Sequence, residues 1–581
     1  MTASATHTEP NCLGRRPLAD RLMLRVAVAH SRRLLERFQR DAARATQVQQ
    51  RVLDAKIRRN ADSALGRDFG FGKIRTYADF CRQVPIMRYD DLAPYVQRVM
   101  DGETGAMFAG RQRVYMLAKT SGTSDKPKYI PVTTPFLHEY RRGWNVFGVK
   151  AIMDHSGCFL RHIVQMASPM DEERSAGGLC CGAITGLMAQ FQKRLVRRYY
   201  VVPPAVGYID NPTARYYTAM RFAVPKDVAF MITASPATQL NLVQTADRYR
   251  DVLIRDIHDG RLSHRFEVSR SMRVRLEPHL TADPATARRL ERSVARTNRL
   301  LPVDYWRLGF VANWMGGTMG LYLRAFPEYF GDTPVRDIGL LASEGRMSIP
   351  MQDGTPGGVL EFTASFFEFI PQEEYGRRDP TVLRSHELQV GRRYFILLTT
   401  SAGFYRYDIG DCVRVTGFQG QAPIIEFLHK RDGISSLTGE KLTEQQAVEA
   451  MQRCTTTTDV GSFVLAPHWA DPPFYMLHVD RSVAPTPVAQ QALADRLDRV
   501  LQQVNIEYAS KRHSGRLGIV LVNVVDADCL ARRDRELARR YRRANEQYKH
   551  RFLLSKIGDD ADLVGETANE QPTRRRLRAP S

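Results

Sequence analysis

Residues 119–131 read Lys-Thr-Ser-Gly-Thr-Ser-Asp-Lys-Pro-Lys-Tyr-Ile-Pro. Thr120, Ser121, Thr123 and Ser124 place hydroxyls on both sides of Gly122, and Lys126 and Lys128 follow at once. Small residues let a backbone turn tightly and aim N–H groups at an anion. Hydroxyls add donors and lysines add point charge. This is the chemistry of a loop that grips a polyphosphate. The spacing is not that of the P-loop, because no Lys-Ser/Thr follows a second glycine. Taken alone, the stretch also reads as a polar surface turn. Two later stretches bear on the choice: Leu-Leu-Ala-Ser-Glu-Gly-Arg-Met-Ser-Ile-Pro at 340–350, and Gly-Phe-Tyr-Arg-Tyr-Asp-Ile-Gly-Asp at 403–411.

Elements of two kinds must position these residues. Tyr115, Met116 and Leu117 read as a short buried strand entering the first loop. Thr134-Pro135 starts a helix after it. Val228–Thr233 reads as a buried strand, with Ser235-Pro236 starting the next helix. Strand, Ser-Pro, helix is the grammar of a parallel α/β sheet. Residues 394–400 form a strand that leads straight into the third stretch. Residues 413–416 and 424–428 are further strands, and His429-Lys-Arg-Asp-Gly433 reads as a linker. Helix 443–453, strands 461–466 and 474–479, helix 486–504, strand 517–524 and helix 534–548 make a small α+β unit. Residues 17–62 carry apolar positions at helical spacing and read as one or two helices packed on the main body.

Taken together and in order, the three stretches resemble the signature of the acyl-adenylate-forming superfamily. Within it they are similar to the Gretchen Hagen family of acyl acid amido synthetases, which includes the plant auxin-conjugating enzymes. Ala342, Ser343 and Glu344 match the second motif; Tyr405, Arg406, Tyr407, Gly410 and Asp411 match the third. The resemblance runs from about Thr76 to about Lys549. It implies an α/β fold with mixed sheets and helices: a large adenylate-forming domain, 1–433, and a small mobile C-terminal domain, 434–560. Residues 561–581, with Arg574–Arg576, read as a disordered basic tail.

The chemistry implied is ATP-dependent. A carboxylate is a poor acyl donor; converting it to an acyl-adenylate gives it AMP as leaving group. An amine, expected to be an amino acid, then takes the acyl group; coenzyme A is the alternative acceptor. The resemblance implies that Thr120, Ser121, Gly122, Thr123, Ser124 and Lys128 bind the phosphates, and that Ser343, Tyr407 and Asp411 contribute to the nucleotide site. Glu344 would hold Mg²⁺, a hard cation that prefers oxygen. Asp411, an acceptor-only group, suits two ribose hydroxyls. Lys441 and Lys549 match lysines of the small domain and are the candidate catalytic cations, brought to the α-phosphate by domain docking. Leu340 stands where the plant enzymes have tyrosine, Asp408 replaces a basic residue, and Asp125 sits where glycine is common. Gly316, Gly317 and Thr318 read as a place where backbone approaches a ligand.

Composition restricts the alternatives. At 581 residues the chain exceeds one compact core. Its 84 basic against 63 acidic residues leave a net charge of +21, which suits anionic ligands or nucleic acid. The arginines are scattered, however, and no recognition-helix or aromatic ribonucleoprotein motif accompanies them, so small-molecule partners are expected and nucleic acid is not. The eight cysteines show no Cys-x-x-Cys spacing, so a reducing cytoplasm fits better than a disulfide framework. Residues 175–192 are uncharged but rich in glycine, which argues for a buried segment and against a membrane span.

Overall fold

The structure, a computed structural model, describes residues 29, 32–110, 112–120, 127–192, 194–438, 440–455, 461–540 and 550–564. The described residues divide into two units, one ending at Leu428 and one starting at His429. The fold is α/β, with helices and mixed sheets in both.

Three sheets organise the first unit. A parallel sheet has the order His162–Gln165, Val228–Ile232, Phe310–Asn313, Val335–Asp337. Val228–Ile232 is buried along its whole length, as a strand covered on both faces must be. Three helices of this region start in the same way. Asn211, Ser235 and Asp283 each accept a backbone N–H from the first turn, and Pro212, Pro236 and Pro284 follow. The cap satisfies an orphan donor and the proline presets φ. The arginine-rich stretch 261–300 holds two helices, Arg270–Leu276 and Pro284–Thr297.

A second sheet runs Lys128–Thr133, Val114–Thr120, Cys180–Gly182, Glu173–Arg174. Cys180–Gly182 and the helix Ile184–Gln190 account for most of the uncharged glycine-rich segment. No helix among the described residues is long and apolar enough to cross a membrane.

The third sheet has seven strands: Ser348–Ile349, Gly358–Leu360, Ala422–Lys430, Tyr407–Gln419, Arg393–Thr399, Phe366–Pro371, Leu383–Arg384. The lead-in is helical at 32–42 and again at Ala45–Arg59. Its Gln49 is buried against this sheet and fully used. The amide nitrogen donates to the Phe362 and Ser365 carbonyls at 2.7 Å, and the amide oxygen accepts from the Phe367 N–H at 2.9 Å.

The second unit has a three-stranded sheet, Phe463–His468, Phe474–Asp480, Leu521–Val525, antiparallel and then parallel. Helices Glu444–Cys454, Pro487–Val504, Ile506–His513 and Cys529–Arg540 accompany it. Two expected elements are displaced. The strand placed at 517–524 forms at Leu521–Val525, and the helix placed at 534–548 starts at Cys529. Both departures arise where Gly518 crosses close to Pro473 and where Asp528 adopts positive φ; neither turn has a strong sequence signal.

Candidate functional site

The first motif lies at the end of an antiparallel hairpin. Thr120 and Lys128 are the last paired residues of its two strands, directly opposite each other. Ser121, Gly122, Thr123, Ser124 and Lys126 lie outside the described residues. Lys119 is committed elsewhere, 3.2 Å from Glu173. Lys128 lies over the Tyr89 ring, 5.6 Å from its centroid. The Tyr89 hydroxyl accepts the Tyr129 N–H at 2.8 Å. One tyrosine from the helix Tyr89–Met100 therefore fixes the mouth of the hairpin.

The second motif is a smaller hairpin. Ala342 pairs with Gly345, so Ser343 and Glu344 form its two-residue tip. Ser343 is half-buried and Glu344 is buried. Arg346 lies beneath the tip, 4.5 Å over the Trp144 ring, and donates to the Ser348 carbonyl at 3.1 Å. Burial pulls its guanidinium down to about 10. Gly143 makes room for it, since a Cβ there would lie 2.6 Å from the arginine's Cδ.

The third motif begins the strand Tyr407–Gln419. Asp408 pairs with Leu397 and Cys412 with Phe395, so four steps on this strand face two on its neighbour. The ladder bulges there, and Gly410 takes φ +73° within it. Asp408 and Cys412 face one side; Tyr407 and Asp411 belong to the other. Asp408 accepts from the Tyr375 hydroxyl at 2.7 Å and the Gly410 N–H at 2.9 Å.

Tyr407 is where the motifs meet. Its hydroxyl is buried and has no hydrogen-bond partner among the described residues. Burial first, and then the charges of Glu344 and Asp408, the Tyr89 phenol and the charge of Asp411, push its proton affinity far up. Glu344 also adds to the shift of Tyr89, which burial raises to about 12. Glu344 of the second motif, Asp411 of the third and Tyr89 beside the first hairpin thus all act electrostatically on one buried phenol. Buried hydroxyls are rarely left orphaned in the absence of a role.

Asn313 and Asp337 end adjacent strands of the parallel sheet. There Asp337 accepts the Met315 and Gly339 N–H groups at 2.6 and 2.5 Å, and burial raises it to about 7. Trp314, half-buried, donates its indole N–H to the Gly339 carbonyl at 3.0 Å. The Gly316-Gly317 turn passes close to protein backbone. A Cβ on Gly316 would lie 3.0 Å from the Phe427 carbonyl oxygen, and one on Gly317 3.0 Å from that of Leu428. These glycines let the chain at Phe427 and Leu428 pass closely.

In the second unit Lys441 is exposed and holds φ +48°. Glu440 explains that posture. Its buried carboxylate accepts the Leu437 and Thr438 N–H groups at 2.6 and 2.7 Å and the Tyr475 hydroxyl. The knot tightens the chain and leaves the next residue in the left-handed region. Lys549 lies outside the described residues.

The sequence matches the GH3 family N-terminal domain over residues 34–335, the GH3 family central domain over 358–430 and the GH3 family C-terminal domain over 444–556. The chain belongs to the GH3 family. Among its relatives is jasmonoyl–L-amino acid synthetase JAR4 of Nicotiana attenuata, 24% identical over 468 residues, 76% of this chain and 80% of the relative. Another is indole-3-acetic acid-amido synthetase GH3.8 of Oryza sativa subsp. indica, 24% identical over 447 residues, 73% of this chain and 71% of the relative. A solved GH3.15 acyl acid amido synthetase superposes with a TM-score of 0.75, at 20% identity, over 90% of this GH3 chain and 94% of its own.

One residue beside the GH3 motifs, Tyr89, was not marked by them. Tyr89 lies in a stretch whose visible signal is helix initiation, the Asp91 carboxylate accepting the Arg88 N–H at 2.7 Å. Arg406 is inside the third motif, yet its side chain turns into the core and pairs with Glu368.

Proposed function

We propose that this GH3 chain is an AMP-forming ligase that adenylates a carboxylic acid with ATP and passes the acyl group to an amine, an amino acid, to form an amide. What carries the reading is the run of three GH3 domain matches in sequence order, with relatives named as amido synthetases matched over most of their own length. The substrates are a small carboxylic acid and an amine.

Roles follow from the chemistry of the residues. Thr120 and Lys128 present a hydroxyl and an ammonium at the hairpin mouth, and with Ser121–Ser124 they grip the phosphates. Asp411 accepts the ribose hydroxyls. The Tyr407 hydroxyl supplies a donor in a buried position. Ser343 stands beside Glu344 at the hairpin tip and adds a hydroxyl. Glu344 fits Mg²⁺, because a buried carboxylate at a hairpin tip offers the oxygen that a hard cation requires. When bound, that ion neutralises phosphate charge. The roles of Lys441 and Lys549 rest on the sequence resemblance alone.

The test is to mix the protein with ATP, Mg²⁺ and pooled carboxylic acids and to measure pyrophosphate release. The positive pool is then given amino acids or coenzyme A and the product identified by mass spectrometry. An amide is expected. A thioester would move the assignment to an acyl-CoA ligase, and silence across a broad pool with no ATP binding would reject both.

A further inference from the structure

We propose that His468, His478 and Asp560 form a binding site for a divalent transition metal of the zinc class, within the second unit. Three separate segments deliver the ligands. His478 is in the middle of the strand Phe474–Asp480 and is fully buried. His468 ends the neighbouring strand Phe463–His468, with its side chain 22% exposed. Asp560 comes from the segment 550–564 and is buried.

Register puts the two histidines on one face of the sheet. His478 pairs with Val464 and His468 with Phe474, so 464, 466 and 468 share a face with 474, 476 and 478. Val464 and Ala466 on that face pack with Leu554 and Leu563, which roof it and bring Asp560 in. Both Nε2 atoms lie 2.7 Å from the same oxygen, Asp560 Oδ2. The three ligand atoms all fall within 4.8 Å of one another. Bonds of about 2.0–2.2 Å to imidazole and carboxylate ask for little more than a widening of this triangle.

The chemistry favours a borderline metal over Mg²⁺ or Ca²⁺. Two imidazoles and one carboxylate are a nitrogen-rich set, whereas the hard cations choose oxygen. The exposed edge at His468 gives an entry path and room for water as a further ligand. Two further groups flank the histidines. Asn523 lies 3.0 Å from His478 Nδ1, with its amide 3.1 Å from the Leu563 carbonyl. When Nε2 binds metal, Nδ1 carries the proton, so the Asn523 amide gives up its contact with Nδ1 and keeps its hydrogen bond to the Leu563 carbonyl. The His468 ring stacks on Phe474, centroids 5.3 Å apart. Asp560 lies beyond the last matched residue of the GH3 C-terminal domain, 556, while both histidines lie within the matched stretch.

Cobalt reports coordination directly. The full-length protein, its thiols first blocked, is stripped with chelator and titrated with Co²⁺, then with Zn²⁺ in competition. One equivalent is expected to bind, with visible d–d bands, no thiolate charge-transfer band, and displacement by Zn²⁺. Asp560→Asn and His468→Ala should each weaken binding about 10–100-fold or more. His468→Ala alters only the partly exposed strand end and retains the fold by circular dichroism, so the test survives if Asp560→Asn does not fold. Absence of d–d bands, or equal affinity in wild type and the folded His468→Ala protein, overturns the proposal. Because the readout is bound metal, its outcome is independent of whether the ligase reading holds.

Discussion

Arg406 Nε lies 3.1 Å from Glu368 Oε1, with both side chains buried. The same guanidinium donates to the Val84 carbonyl at 3.0 Å, and the Tyr77 hydroxyl donates to Glu368 at 2.9 Å. The arginine of the third motif therefore ties the helix Tyr77–Gln83 to the seven-stranded sheet. Removing one member of a buried pair strands the other charge and costs about 3–5 kcal/mol. Glu368→Gln and Arg406→Ala should each lower the urea unfolding free energy by about that much. If Arg406→Ala abolished activity at wild-type stability, the arginine would be acting on substrate.

Asp411→Ala should weaken ATP binding while the protein stays folded. Hydrogen bonds to a charged acceptor contribute about 1.5–3 kcal/mol, so calorimetric affinity should fall tenfold or more. Wild-type ATP affinity in this variant would make the buried Asp411 a purely structural residue.

Lys441→Gly separates backbone from charge. Left-handed backbone costs a non-glycine residue about 1–2 kcal/mol, and Lys441 holds φ +48°. Stability of the second unit should stay level or rise, because glycine occupies that region freely. Acid-dependent pyrophosphate exchange should nonetheless fall. Exchange at the wild-type rate would remove Lys441 from the chemistry.

Stability should decline as pH rises from weakly acidic to neutral. Burial raises Asp337 and Glu361 each to about 7. Their folded values exceed the unfolded ones, so the stability they contribute is complete below about pH 4 and is lost as pH climbs through 7. The slope per group is on the order of 1 kcal/mol per pH unit. Glu361→Gln removes one of the two titrations. Its plot of unfolding free energy against pH should be flatter than wild type between about pH 5 and 7; parallel plots would show that Glu361 titrates normally.

What could be read in the sequence was local. Thr134-Pro135 and Ser235-Pro236 mark helix starts because a cap needs only its own first turn. The strand entering residues 121–126 was visible at Tyr115–Leu117 because an apolar run spans only a few residues, whereas the returning strand Lys128–Thr133 was not marked. Arg406 was visible as a letter, but its partner is 38 residues earlier on another strand. Gly316 and Gly317 announced a close approach without naming the neighbour, which is the chain at Phe427 and Leu428. Tyr89 carried no signal of its own, and only folding sets its ring under Lys128. His468 and Asp560 are 92 residues apart, so no spacing rule could join them.

The bulge at Gly410 also sets a rule of parity for the third motif. Between Asp408 and Cys412 the strand holds an even surplus over its neighbour, and side chains alternate faces with period two. Losing a single residue there would leave an odd count. Either Tyr407 or Asp411 would then turn to the Asp408 side, and the joint electrostatic action of Glu344 and Asp411 on Tyr407 would be undone however well each letter was preserved. Excising two residues would straighten the strand and restore the faces. The motif is thus more sensitive to its length than to its spelling, and a one-residue deletion should harm nucleotide binding more than most substitutions within it.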